Sequence, residues 1–298
     1  MFTLETVALD AGPTVVIAKP EGYIPVAAAA AELGLAIPDR SLFDLLDGWD
    51  ELWPKIVRIA AEAPIDPSAR DAKRLLQHGR TRKVLCAGAN YWKHLAEMKV
   101  TYEKDPAKAP YIFLKPPTAV VGPGRTVPVD RAITMLDWEV ELTAIIGRRG
   151  RDIPVERALE HVAGYTIAID LTARDRHMQP ETIFKFDWLA GKGQDGFCPT
   201  ASGMLPAAFL PDPQKTRIRL AVNGTTKQDA STDDMIYSVA ELVSWASRLS
   251  TLEPGDLLLT GSPEGVGFPR KEFLAIGDRV TAEVDGLAPL EIELFAKE

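Results

Sequence analysis

Glu139 and Glu141 stand two residues apart in Asp137-Trp138-Glu139-Val140-Glu141-Leu142, at the head of an apolar run that ends at Ile146. That run, rich in Val, Leu and Ile, predicts a β-strand, and residues i and i+2 of a strand project from the same face. Two carboxylates held side by side repel one another and are costly to desolvate unless a cation lies between them. Asp170 closes a second apolar run, Tyr165–Ile169, and supplies a third oxygen if the two runs are neighbouring strands. Three carboxylates with no Cys or His nearby describe a hard-cation site: Mg2+ or Mn2+ first, Ca2+ next, zinc last. A Glu-x-Glu on a strand more often marks the solvated face of a sheet. Here Trp138, Val140, Leu142, Ala144 and Ile146 make one face apolar, and Ile145 adds apolar bulk to the carboxylate face. A strand buried on both sides has no place for two unpaired carboxylates. Asp170 taken alone is equally a turn or helix-cap residue.

Other groups extend this chemistry. His94 and Glu97 lie three apart in a segment, Tyr91–Lys99, that predicts a helix, so they share a face. A histidine held by a carboxylate is poised as a general base near neutral pH, although an isolated pair of this spacing is more often a surface ion pair. Lys192 sits in the glycine-rich Gly191-Lys192-Gly193-Gln194-Asp195-Gly196, where an ammonium can reach an oxyanion or simply be solvated. Arg174 follows Asp170 closely and can grip a substrate carboxylate with two prongs or serve as a structural partner of the acidic cluster. The glycines of Gly261-Ser262-Pro263-Glu264-Gly265-Val266-Gly267 expose N–H groups that can bind an anion, or form a tight turn.

Those residues need elements to hold them. The chain has 298 residues, 46% hydrophobic and 26% charged, the proportions of a soluble globular protein of one large or two smaller domains. A net charge of −8 argues against nucleic acid as a partner. No run approaches the roughly eighteen apolar residues of a membrane span, and no signal peptide is evident. Cys86 and Cys198, far apart and without a histidine partner, fit a reducing cytoplasm and buried structural roles. Residues 1–75, with a strand at Thr14–Ala18, a helix from Val26, a helix capped by Ser41 and another over Asp50–Glu62, predict a small N-terminal α/β cap or packing domain. A polar stretch, Pro64–Arg82, leads into residues 76–298. There short strands alternate with Gly/Pro turns, Asn223-Gly224 marks a hairpin, and Tyr237–Leu249 carries helical periodicity. The class is α+β, dominated by β.

In their order along roughly residues 80–298 these segments resemble the fumarylacetoacetate hydrolase superfamily. Lys83 to Tyr91 with His94 and Glu97 is similar to its opening strand and lid helix, and Phe113-Leu114-Lys115-Pro116-Pro117-Thr118 to its next segment. Asp137 to Leu142 is similar to its metal motif, Gly164 to Asp175 to its third-ligand segment, and Trp188 with Lys192 to its lysine-bearing loop. Ser231 to Tyr237 and Leu259 to Gly267 are similar to its closing motifs. The resemblance implies a mixed β-sandwich roll, usually a homodimer. It implies Glu139, Glu141 and Asp170 as ligands of Mg2+ or Mn2+, His94 with Glu97 as activator of water, and Lys192 as stabiliser of an oxyanion or enolate. It further implies substrate contacts from Tyr91, Lys115, Arg174, His177, Gly261 and Ser262. This chain departs from the family pattern at His177, where a Gln is expected, at Ile169, where an Asn is common, and at Ser262, where a Thr is usual.

A divalent ion can chelate a 2-oxo acid and stabilise an enolate forming beside its ketone. Attack of water on a second carbonyl two carbons away then breaks a C–C bond, the hydrolysis of an acylpyruvate-like 2,4-dioxo acid. Loss of CO2 from an oxaloacetate-like acid, or keto–enol isomerisation, would use the same intermediate. The His94–Glu97 pair favours hydrolysis, because water activation serves it most directly. A non-catalytic 2-oxo-acid binding protein is the alternative from another class.

Overall fold

The computed structural model describes residues 1–10, 12–38, 41–68, 71–76, 81–105 and 108–298, so the polar stretch Pro64–Arg82 lies partly outside the described residues. In chain order the elements begin with β1 (Thr3–Leu9), β2 (Gly12–Lys19), β3 (Gly22–Pro25), α1 (Val26–Glu32), α2 (Leu42–Leu46) and α3 (Trp49–Glu62). Then come β4 (Val84–Gly88), α4 (Trp92–Glu97), β5 (Tyr111–Lys115), β6 (Gly124–Val129), β7 (Val140–Ile146) and β8 (Val162–Ile169). Two short helices follow, α5 (Arg174–His177) and α6 (Trp188–Lys192), then β9 (Gly203–Pro206), β10 (Arg217–Val222) and β11 (Thr225–Ser231). The chain closes with α7 (Val239–Leu249), β12 (Leu257–Leu259), β13 (Arg279–Val284) and β14 (Leu290–Ala296).

Nine strands form one mixed sheet in the order β3-β2-β1-β9-β8-β7-β12-β4-β5, and five form a second in the order β11-β10-β13-β14-β6. This strand-dominated α+β architecture matches the class expected from the sequence. Local chemistry explains the boundaries. Ser41 and Ser238 open α2 and α7 with capping boxes, accepting from the N–H groups of Asp44 and Glu241. Asn223 and Gly224, both at positive φ, make the two-residue turn between β10 and β11.

β7 is buried along its whole length. Val140, Leu142, Ala144 and Ile146 pack into a core shared with the five-stranded sheet and α7. Ile145 joins a second core with Leu42, Leu46, Ile56 and Ile59 of α2 and α3. The nine-stranded sheet is thus covered on both faces, by β-strands on one and the N-terminal helices on the other. β1 pairs with β9, so the sheet runs from the N-terminal strands into those bearing the carboxylates.

β7 runs antiparallel to β8 and to β12, and β12 runs parallel to β4. The start of β7 therefore lies beside the ends of β8, β12 and β4. Glu139 and Glu141, Asp170, the Gly261–Gly267 loop and α4 all issue from this edge. Among the described residues, no helix is long and apolar enough to cross a membrane.

Candidate metal centre and cleft

Register brings the three carboxylates together. Glu141 is opposite Ala168, Val140 is opposite Ile169, and Asp170 N donates to Glu139 O at 2.8 Å. One oxygen from each of Glu139, Glu141 and Asp170 lies within 4.8 Å of the others, and all three residues are buried. Such an all-oxygen donor set fits a hard divalent ion.

The charges around the triad are unequal. Burial works to raise the Glu139 pKa, but Lys192 and Arg174 outweigh it and hold the group at about 2. Lys192 Nζ donates to Glu139 at 2.8 Å and to Asp170 at 2.6 Å, and Arg174 Nη2 donates to Glu139 at 2.5 Å. Lys115 Nζ pairs with Asp170 at 2.6 Å from a fully buried position. Among the described residues Glu141 forms no ion pair of its own. Its pKa is pushed well up by burial and by the Asp170 and Glu139 charges, and the Lys192 charge and then the Gly261 N–H offset this in part. Counting Asp137, the cluster holds one more carboxylate than it has buried cations.

The cations are set by short helices and by backbone. Asp187 caps α6 through Ala190 N at 2.8 Å, and Lys192 is the last residue of that helix. Gly191 lets α6 lie against His177, where a Cβ would come within 2.4 Å of the histidine's own Cβ. Arg174 opens α5 and is gripped by Asp137, which accepts from Nε at 3.0 Å and Nη2 at 2.8 Å. Burial raises the Asp137 pKa and Arg174 opposes it.

His94 and Glu97 meet on α4, Nδ1 to Oε1 at 2.8 Å. Gly265 N donates to both Glu97 oxygens, at 3.1 and 2.9 Å, which fixes the carboxylate independently of the helix. A cleft of about 180 Å³ joins His94 to Glu139, Asp170, Arg174 and Lys192, with Ser262 on its rim. Its remaining wall is apolar: Leu95, Met98, Val100, Phe113 and Trp188. Together these groups offer a base, a cation site and a water-poor wall within one cavity.

Several residues expected to touch substrate have partners within the protein. Lys115 is an internal counter-ion, since besides Asp170 its ammonium serves the carbonyls of Leu171, Phe197 and Lys192 and is sealed from the cleft. Tyr91 is fully buried, and burial pushes its hydroxyl pKa well up. The glycine loop binds anions, but they are the protein's own. Gly261 N serves Glu141, Gly265 N serves Glu97, and Gly267 N and Phe268 N serve Asp137. His177 is buried behind Lys192 with its ring edge-on to Trp188 at 4.4 Å, and Nδ1 has no partner among the described residues. Ser262 Oγ accepts from Gln228 at 2.8 Å.

Three site-building residues escaped the sequence reading. Asp137 joins Arg174 to the glycine loop. Gln228, buried inside β11, accepts from Val140 N at 3.0 Å and donates to Ser262 Oγ and to Pro263 O at 2.9 Å. Asn90 donates to Tyr237 O and Thr260 O and accepts from Tyr237 N. A lone amide gives little sequence signal in a strand, TTKQDAS, whose other residues are exposed or half-buried.

Residues 83–294 match the model of the fumarylacetoacetate (FAA) hydrolase C-terminal family. The chain is 39% identical over 210 residues to the mitochondrial oxaloacetate tautomerase fahd2 of Xenopus laevis, covering 70% of this chain and 64% of that one. The fumarylpyruvate hydrolase of Pseudomonas aeruginosa, solved with Mn2+ and pyruvate, is 35% identical with a TM-score of 0.66 over 76% of this chain and 92% of that one. The fumarylacetoacetate hydrolase of Exiguobacterium antarcticum is 29% identical with a TM-score of 0.78 over the full length of both. With the family model spanning most of its length, this chain belongs to the fumarylacetoacetate hydrolase family.

Proposed function

We propose that this chain is a divalent-metal-dependent hydrolase cleaving the C–C bond of an acylpyruvate-like 2,4-dioxo acid. The observation that carries this reading is His94, bonded to Glu97, lining the same cleft as Glu139 and Asp170 of the triad. Glu139, Glu141 and Asp170 would hold Mg2+ or Mn2+, which supplies Lewis-acid stabilisation to a keto oxygen beside a carboxylate. His94 takes a proton from a water molecule as its oxygen attacks the distal carbonyl. Glu97, locked by Gly265 N–H, orients the ring and steadies the imidazolium. Lys192 presents positive charge where negative charge develops. The proton held on His94 passes to the departing carbon, so one water is consumed and a carboxylic acid and pyruvate leave.

Likeness to an oxaloacetate tautomerase supports a second reading, keto–enol isomerisation or decarboxylation of an oxaloacetate-like diacid, with His94 only moving protons. A 2-oxo-acid binding protein without turnover would have no use for a locked base. Purified protein given a small acylpyruvate, with and without Mn2+ after chelation and with oxaloacetate alongside, decides among them. Metal-dependent release of pyruvate and free acid supports the hydrolase, and reaction of oxaloacetate alone replaces it with the second reading.

The same reading takes the chain as a homodimer, supported by the exposed apolar side chains of Tyr111, Leu114, Ile183 and Phe184 close in sequence to cleft residues. It places the protein in the cytoplasm, supported by free, buried Cys86 and Cys198. It takes residues 1–75 as a packing domain, supported by the cover that α2 and α3 give the sheet.

A further inference from the structure

The two sides of the cleft differ in kind. Resting on the hydrolase reading, we propose that the substrate carries one carboxylate only, and that the group on its distal carbonyl is short and apolar. The two cations lining the cavity, Arg174 and Lys192, are both on the triad side and are engaged there with Asp137, Glu139 and Asp170. A substrate carboxylate bound beside the triad shares these charges. Toward Leu95, Met98 and Val100 the described lining offers no cation.

The N–H groups of Gly261, Gly265 and Gly267 in the neighbouring loop give no substitute, because they are spent on the protein's own carboxylates. His94, which lines the same cavity, is bonded to Glu97, whose negative charge repels a second substrate carboxylate. A carboxylate moved from water onto Leu95, Met98 and Val100 loses its hydration without a partner. A methyl or short alkyl group there gains by leaving water. The cavity volume of about 180 Å³ falls below the roughly 300 Å³ at which pockets for drug-sized ligands begin, which sets the word short.

The test compares Mn2+-loaded protein on acetyl-, butanoyl- and hexanoylpyruvate with fumarylpyruvate and oxaloacetate, which carry a second carboxylate. Calorimetry in parallel measures metal-dependent binding of 2-oxobutanoate against 2-oxoglutarate. We expect kcat/KM on the short monoacids to exceed that on the diacids by roughly tenfold or more. Val100→Arg or Met98→Arg should lower KM for fumarylpyruvate while Mn2+ affinity stays unchanged. Equal or better use of diacids by the native chain overturns this proposal and leaves the hydrolase reading intact. Absence of C–C cleavage with 2-oxobutanoate still bound more tightly than 2-oxoglutarate overturns the hydrolase reading and supports the specificity.

Discussion

Removing the Glu141 carboxylate takes from the triad the member that, among the described residues, has no direct ion pair. Glu141→Ala should weaken Mn2+ binding by more than about a hundredfold and abolish turnover with it, as read by calorimetry and a pyruvate assay. Full activity in the metal-stripped variant would remove the triad from the mechanism. His94→Ala should behave differently, keeping Mn2+ while kcat falls by about 10²–10⁴. His177 makes a pH prediction. Burial, then Lys192 and Arg174, hold its pKa at about 4 against an ordinary 6.5. Between those values the unfolded chain binds a proton that the folded chain refuses, so stability falls as pH drops through this window and is flat above it. His177→Gln should remove that slope in urea unfolding measured at about pH 7.5, 6 and 5; an unchanged slope assigns it to other groups. At this scale the sequence was most legible where type and spacing alone carry meaning. Glu139 with Glu141, and His94 with Glu97, needed only the periods of strand and helix. The internal partners of Lys115 and of the glycine loop were not legible, because a sequence shows donors without their acceptors.

β7 and β8 are the elements on which the centre depends, and both were readable as apolar runs with carboxylates at their ends. Their adjacency was inferable; the insertion of β9 between β8 and β1 was not, because pairing between distant strands leaves no local trace. Gln228 shows the same limit, a β11 residue reaching across to β7 and to the loop after β12. Gln228→Ala leaves Val140 N and Pro263 O buried without their partner and should cost about 2–4 kcal/mol in chemical denaturation. It should also loosen the loop that holds Glu97 and Glu141. A variant as stable as the parent would mean that water replaces the amide at no cost.

Across the whole molecule, two cores lie on either side of one sheet, and the acidic cluster lies at its edge with Lys115, Lys192 and Arg174 around it. Chelation should therefore abolish activity while cooperative thermal unfolding persists, with Tm lowered by only a few degrees. Loss of the unfolding transition in chelator would make the ion part of the fold. The overall class was legible because alternating strands, Gly turns and capped helices agree locally; the doubled cover of the sheet was not, since it depends on where α2 and α3 come to rest.

The three cations around the cluster bear on the life history of the chain. A carboxylate cluster that carries its own counter-charges lets the polypeptide finish folding on the ribosome's schedule, with no ion yet in hand. Under the proposed metal reading, loading would then be a transaction between a completed protein and the surrounding pool of free ions, and which metal a given molecule carried would record where and when it met that pool.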